Sequence, residues 1–327
     1  MNDQHEMKNQ GIQGMETILV VGAGIMGHGF AQFFAQTGLR VILVDRTEAL
    51  LERAQSMIAH NLEYMVELGE IESVRAESVL QKIRYSTAFE QEARGSDFVL
   101  EAVVEDLATK KDVFRRLGKT APSDTILASN TSSYDINEFS RVTAHPERVI
   151  GTHWFFPPQI TPCVEIIPAE LTSREVIDRT IGFMEQIGKA PTSCASSPGF
   201  VANRIQYAMV AEAMTIVDEG LATAEEVDRI VKTSFGFRLG AYGPFEICDQ
   251  AGLDTYYSAF EYLHDKLQRR QFEPPSMLKG YVERGELGVK TGKGFYGYPG
   301  RSAEKLIRER DQRLYARLRI FRNELKS

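Results

Sequence analysis

Thr17-Ile18-Leu19-Val20-Val21-Gly22-Ala23-Gly24-Ile25-Met26-Gly27 decides the fold of this chain. Its first five residues are apolar and rich in β-branched side chains, as a strand buried on both faces requires. Three glycines follow at G-x-G-x-x-G spacing, and a helical pattern runs from about Met26 to about Gly38. A second apolar run, residues 40–44, stops at Asp45. Each part has a mechanical reason. Gly22 permits the tight turn, Gly24 lets the backbone approach a pyrophosphate, and Gly27 lets helix and strand pack closely. Ile25 and Met26 belong to the same cofactor turn, and the helix N-terminus presents N–H groups and partial positive charge to phosphates. Asp45 stands about twenty residues past the glycines, where a carboxylate accepts both ribose hydroxyls. The complete strand–turn–helix–strand–acid unit predicts a dinucleotide site. The Asp45 charge predicts NAD over NADP, because it repels a 2′-phosphate; Arg46 offsets part of that repulsion.

The chain has 327 residues, enough for two domains and a substantial core. Its apolar (43%) and charged (25%) fractions are those of an ordinary globular protein, and its net charge of −7 argues against general nucleic-acid binding. Cys163, Cys194 and Cys248 are widely spaced, form no metal-ligand pattern, and suit a reducing compartment. No apolar run approaches a membrane span. Residues 1–15 are polar, lack an apolar signal-peptide centre and read as a disordered tail. Cytoplasmic residence is the expectation, with no metal.

From 17 to about 196 apolar strands alternate with amphipathic helices. Strands are expected at 97–103, 125–129, 148–153 and 162–167, and helices near 48–67, 72–82, 107–118 and 173–187. This alternation predicts a doubly wound, mostly parallel Rossmann-type sheet over 16–197. At Ser197-Pro198-Gly199 the character changes. Helical stretches near 199–219, 223–234, 244–268, 275–284 and 302–325 predict an all-α domain over 198–327. The charged last stretch reads as a solvated helix.

Removing a hydride from an alcohol needs a base at the hydroxyl, and histidine suits that task. Of six histidines, His5 lies in the tail, His60 and His264 on helical stretches, and His145 before Pro146. His28 follows the glycine turn and reads as a helix-surface residue. His153 differs, because it ends a β-branched strand, and strand C-terminal edges are where open α/β sheets bind ligands. Glu165 stands inside the next apolar strand, where a carboxylate is expensive unless paired. Its partner is His153, or else Glu165 caps backbone or pairs with an arginine. In the first case it fixes the imidazole tautomer, as the acid of a hydrolase triad does. Ser132 lies just beyond the 125–129 strand and Asn203 one turn into the junction helix. Their plainer roles are a loop cap and a helix-surface amide, and Lys110 beside Lys111 reads as an exposed helix lysine.

In order and spacing the chain resembles the 3-hydroxyacyl-CoA dehydrogenases from about 17 to 300. The matching segments are the Gly22-to-Gly27 turn with Asp45, Glu101-Ala102-Val103-Val104-Glu105 with Lys110, and Ser129-Asn130-Thr131-Ser132-Ser133. His153 with Glu165 twelve residues on, Pro198-Gly199-Phe200-Val201-Ala202-Asn203-Arg204, Gly243-Pro244-Phe245-Glu246, Gly252-Leu253-Asp254 and Gly288-Val289-Lys290-Thr291-Gly292-Lys293-Gly294-Phe295-Tyr296 complete the set. The resemblance implies His153 and Glu165 as the catalytic pair. It implies Ser132 and Asn203 on the substrate oxygens, Glu105 and Lys110 at the nicotinamide end, and a homodimer through the helical domain. The aromatic residues Phe235, Phe237, Tyr256, Tyr257, Phe260 and Tyr262 fit such an interface or the domain's own core.

Two features depart from the family pattern. Phe156 stands where the family carries an active-site asparagine; a ring narrows the pocket or stacks on a flat substrate but supplies no amide. Residues 63–72 hold no Lys or Arg, so a coenzyme A 3′-phosphate meets Glu67, Glu70 and Glu72 instead. The first expectation is a 3-hydroxyacyl-CoA; the alternative is a non-CoA 3-hydroxy acid, a related small alcohol or a hydrated aldehyde on an aromatic acid. A non-enzymatic NAD-binding protein is a third reading, opposed by retention of both His153 and Glu165. The 3-hydroxyisobutyrate and phosphogluconate enzymes use a lysine in the long interdomain helix, and residues 199–215 have none.

Overall fold

In the computed structural model, which describes residues 14–324, the opening run forms β1 (Thr17–Val21) and the glycine turn leads into α1 (Ile25–Gln36). Next come β2 (Arg40–Val44), α2 (Glu48–Glu67), α3 (Ser73–Gln81), β3 (Ile83–Ser86), α4 (Phe89–Ala93) and β4 (Phe98–Glu101). Then follow α5 (Leu107–Thr120), β5 (Ile126–Ser129), α6 (Asn137–Ser140), β6 (Val149–Trp154), β7 (Cys163–Pro168), α7 (Arg174–Gln186) and β8 (Ala190–Ser193). The tail expected over 1–15, His5 included, falls outside the described residues up to residue 13. Met15 corrects that expectation at its end, since it is buried in the core.

The eight strands form one sheet in the order β3-β2-β1-β4-β5-β6-β7-β8. Every neighbouring pair is parallel except β6 and β7. Because the chain builds outward from β1 to β3 and then adds β4 on the other side, the order reverses between β1 and β4. Such a reversal opens a crevice at the strand C-termini. Alternation along the strands divides the core. Ile18, Val20, Phe98 and Leu100 join Phe30, Phe34 and Ile58 on one face, while Leu19, Val99 and Leu127 join Phe114, Leu117 and Phe139 on the other. Helix starts are capped where the sequence supplies the residue: Thr47, Asp106 and Ser173 each accept a backbone N–H of the first turn.

The strands β3 and β8 lie at the two sheet edges and were not among those expected. Ile83-Arg84-Tyr85-Ser86 and Ala190-Pro191-Thr192-Ser193 are short and half polar, so neither carries the apolar run that marks a central strand.

The chain divides into two compact units between Ala208 and Met209, inside α8 (Ala202–Asp218). The second unit adds α9 (Ala224–Thr233), α10 (Phe235–Leu239), α11 (Pro244–Ala251), α12 (Leu253–Leu267), α13 (Ser276–Glu283) and α14 (Ala303–Glu324). The single helix expected over 244–268 is two. Gly252 adopts φ 101°, which breaks the helix and starts another. Buried Asp249 organises this unit. It accepts the N–H groups of Phe295 and Tyr296 (2.9 and 3.0 Å) and the Tyr298 hydroxyl (2.9 Å), folding the glycine-rich segment after α13 around one carboxylate. Charged α14 is anchored by Arg317, whose guanidinium donates to the carbonyls of Phe237 and Gly240.

Phe34 is fully buried, stacked on Phe183 at 6.0 Å and edge-on to Trp154 at 5.7 Å. Phe34→Ala should lower the unfolding free energy by about 3–5 kcal/mol in urea denaturation, and a loss below about 1 kcal/mol would contradict this packing.

Candidate active site

At the crevice, Gly22 has φ 109°, and a Cβ there would lie 2.5 Å from the Ala102 carbonyl oxygen beyond β4. A Cβ at Gly27 would run into the Gly22 oxygen, so the turn meets both the end of β4 and the first turn of α1 with no room for a side chain. Gly24 differs: a Cβ there meets nothing within 4 Å, and the residue caps α1 without a side-chain bond. Open space therefore faces the helix N-terminus. Asp45 accepts the Ala23 and Arg46 N–H groups, both at 2.6 Å, which ties the turn to β2. Each carboxylate oxygen keeps a further lone pair. Gly22, Gly24, Asp45, Arg46, Phe89 and Val103 line a cavity of about 540 Å³. An open floor, a helix N-terminus and an acidic rim fit the adenosine half of a dinucleotide. Ile25 is exposed, while Met26 packs partly on the core and His28 is occupied by the Gly24 carbonyl at 2.9 Å.

Beyond β4, two carboxylates share one ammonium. Lys110 is not the exposed lysine its neighbour Lys111 suggests; it is 1% exposed, and α5 turns it inward. Its Nζ lies 2.8 Å from Glu101 and 3.1 Å from Glu105. Glu101, fully buried, also accepts the Ser129 hydroxyl (2.6 Å) and the Val103 N–H (2.8 Å). Glu105 accepts the Thr131 hydroxyl, the Ser132 N–H and the Ser133 hydroxyl at 2.6–3.0 Å. Burial opposes the charge on Glu105, but the Thr131 and Lys110 contacts outweigh it and hold the carboxyl below the usual range. The network fixes the 129–133 loop that bears Ser132. Glu101 is not singled out as a site residue in the sequence, although it carries the signal that marks Glu165, a carboxylate in an apolar strand.

On β6 and β7 the antiparallel register sets His153 opposite Glu165. The His153 Nδ1 lies 2.7 Å from Glu165 Oε2, and both residues are buried. The other oxygen, Oε1, accepts the Val201 and Ala202 N–H groups at 3.1 and 2.9 Å, at the start of α8. Two of the readings open for Glu165 thus hold together: it pairs with the histidine and caps backbone. With both oxygens accepting, Nδ1 carries the imidazole proton, and Nε2, which makes no hydrogen bond among the described residues, is left as the basic nitrogen. Phe155 meets the imidazole edge-on at 4.7 Å, and Phe200 lies tilted to it at 5.5 Å.

The Asn203 amide donates to the Ser132 carbonyl at 3.3 Å, bringing those two residues together. Neighbouring Asn130 accepts the Trp154 N–H at 3.0 Å, linking that loop to the end of β6. Phe156 is 67% exposed, so its ring is not part of the core.

A family model described as the 3-hydroxyacyl-CoA dehydrogenase NAD binding domain matches residues 17–197. A second, described as the C-terminal domain of that enzyme, matches residues 199–298. A probable 3-hydroxybutyryl-CoA dehydrogenase of Bacillus subtilis is 38% identical over 87% of this chain and 98% of its own. The 5-formyl-3-hydroxy-2-methylpyridine 4-carboxylate 5-dehydrogenase of Mesorhizobium japonicum is 32% identical over 94% of this chain and 98% of its own. The solved structure of the Archaeoglobus fulgidus 3-hydroxyacyl-CoA dehydrogenase gives a TM-score of 0.78 at 33% identity, covering 94% of this chain and 99% of that one.

Lys110→Met leaves Glu101 buried without its counter-ion and should cost roughly 3–5 kcal/mol in urea unfolding, with Glu101→Gln added to it restoring part. A single variant as stable as the parent would contradict the network.

Proposed function

Since the chain belongs to the 3-hydroxyacyl-CoA dehydrogenase family of NAD-dependent oxidoreductases, we propose that it oxidises the C3 hydroxyl of a short 3-hydroxyacyl-CoA. The observation that carries this reading is the buried His153–Glu165 pair with Nε2 left free. NAD, when bound, takes up the hydride. His153 accepts the hydroxyl proton at Nε2. Glu165 holds Nδ1–H and stabilises the imidazolium that results, and the α8 N–H groups keep that carboxylate from turning away. Ser132 and Asn203 orient the substrate oxygens, which makes their part chiefly one of proximity. Gly22, Gly24, Gly27 and Asp45 hold the cofactor. Lys110, being buried, acts at the nicotinamide end by placing Glu105. Residues 16–197 form the NAD-binding domain and 198–327 the substrate and dimerisation domain.

Specific observations favour a second substrate class, a non-CoA 3-hydroxy acid or a related small alcohol or aldehyde. Glu63, Glu67, Glu70, Glu72 and Glu77 are all exposed on and between α2 and α3, with Arg75 the sole cation across that stretch. This surface repels a 3′-phosphate. Exposed Phe156 favours a flat substrate. A homodimer is supported by α8, which contributes no buried residue although Ile205, Tyr207, Met209 and Met214 are apolar and exposed. The three free cysteines support residence in the cytoplasm.

His153→Gln should cut turnover roughly 10²–10⁴-fold while sparing NAD affinity, and near-normal turnover would remove the proposed base. An NAD-reduction assay should favour 3-hydroxybutyryl-CoA over free 3-hydroxybutyrate, carnitine, gulonate and an aromatic alcohol. Preference for a free acid or alcohol would install the second class, and no turnover on any would overturn both. NAD should outperform NADP through Asp45; a clear NADP advantage would refute that assignment.

A further inference from the structure

Lys189, the residue before β8, is 7% exposed, and no carboxylate lies within ion-pair distance of it among the described residues. Its ammonium donates to the carbonyls of Pro158 (2.6 Å) and Thr161 (2.8 Å). The same charge sits 4.0 Å from the Phe33 ring centroid and 5.2 Å from that of Trp154. Two carbonyl dipoles and two aromatic faces thus stand in for a counter-ion. Both carbonyls belong to the 155–162 segment, the loop that joins the strand of His153 to the strand of Glu165.

The loop has few other polar ties at that place. Ile160 and Thr161 N–H groups bond to the Pro157 carbonyl within the loop itself, at 3.1 and 2.9 Å. Trp154 Nε1 and Gln159 Oε1 are buried without a hydrogen-bond partner among the described residues. On the α1 side the loop is packed tightly, since a Cβ at Gly29 would lie 2.7 Å from Pro158 Cγ. At its start, Phe155 lies against the His153 ring and Phe156 projects outward.

We propose that Lys189 is a positioning residue that clamps the β6–β7 loop, keeping Phe155 against His153 and Phe156 where substrate approaches. Of the elements packed on it, the loop carries no ionisable side chain. On α1, His28 is engaged with Gly24, and on β6, His153 is engaged with Glu165. On β7, Cys163 lies opposite Ala190, and burial raises its thiol, so it stays neutral. Burial lowers the Lys189 pKa to about 8, against the ordinary 10.5. Its charge-assisted bonds therefore weaken as pH rises past about 8. Global stability moves the other way: the unfolded chain holds that proton longer, so this group adds stability between pH 8 and 10.5. That trend belongs to any lysine so buried; a merely structural lysine would leave substrate KM unchanged in a folded variant, whereas a clamp raises it.

Three variants test it by substrate KM and by amide exchange of Ile160 and Thr161. Lys189→Met should raise substrate KM roughly tenfold or more with NAD KM little changed, and should speed that exchange by at least about tenfold. Substrate KM of the wild type should rise above about pH 8, and Lys189→Arg, which stays charged, should abolish that rise. Gly29→Ala pushes the loop without touching Lys189 and should raise substrate KM too, which decides the matter if Lys189→Met does not fold. Unchanged substrate KM in the folded variants, with or without faster exchange, would overturn the clamp. The clamp bears on the proposed catalysis, yet the two fail separately. A wild type that oxidises no hydroxy compound sinks the catalytic reading and leaves exchange to judge the clamp, where wild-type-like exchange in the folded variants overturns it.

Discussion

One cross-strand contact governs this site: an imidazole and a carboxylate set opposite each other by the single antiparallel pairing in an otherwise parallel sheet. Reversing the direction of β7 carries its first residues to the edge where the other strands end. That is what allows Glu165, near the start of its strand, to meet His153, near the end of its own. A buried carboxylate facing only an imidazole would be a costly group. Here it has three donors, one from the ring and two from the backbone at the start of α8, so both oxygens are satisfied and the ring orientation follows.

The same solution recurs at the end of β4. Glu101 is as deeply buried as Glu165, and it too is satisfied by backbone, hydroxyl and a cation. Two acids at the ligand edge of one sheet are thus provided with donors in different ways, by a helix start in one case and by Lys110 in the other. Between them runs the 129–133 loop, tied at one end to Glu105 and at the other, through Asn130, to Trp154. Loop and strand ends form one hydrogen-bonded rim, which is how a set of short polar side chains can be held in fixed positions.

Much of this was legible in the residues. Central strands announce themselves because burial on both faces demands continuous apolar runs, and the glycine turn because backbone contacts exclude any side chain. Edge strands β3 and β8 escaped for the opposite reason, having one side in water. The break at Gly252 escaped because the amphipathic period continues across it. Lys110 read as a surface residue because hydropathy cannot see a counter-ion nine residues away in sequence. Glu165 was visible as a carboxylate among Val and Ile, but the backbone donors that complete it come from residues 201 and 202, contacts that only the folded chain makes. Lys189 carried no signal at all, since its partners are carbonyl groups and ring faces.

The tautomer of His153 tests the account most directly. Imidazole ¹⁵N NMR of the wild type and of Glu165→Gln should show the proton on Nδ1 and a basic Nε2 in the wild type. That preference should be lost in the variant. A wild-type spectrum with the proton on Nε2, or one indifferent to the loss of the carboxylate, would contradict the arrangement on which the proposed catalysis rests.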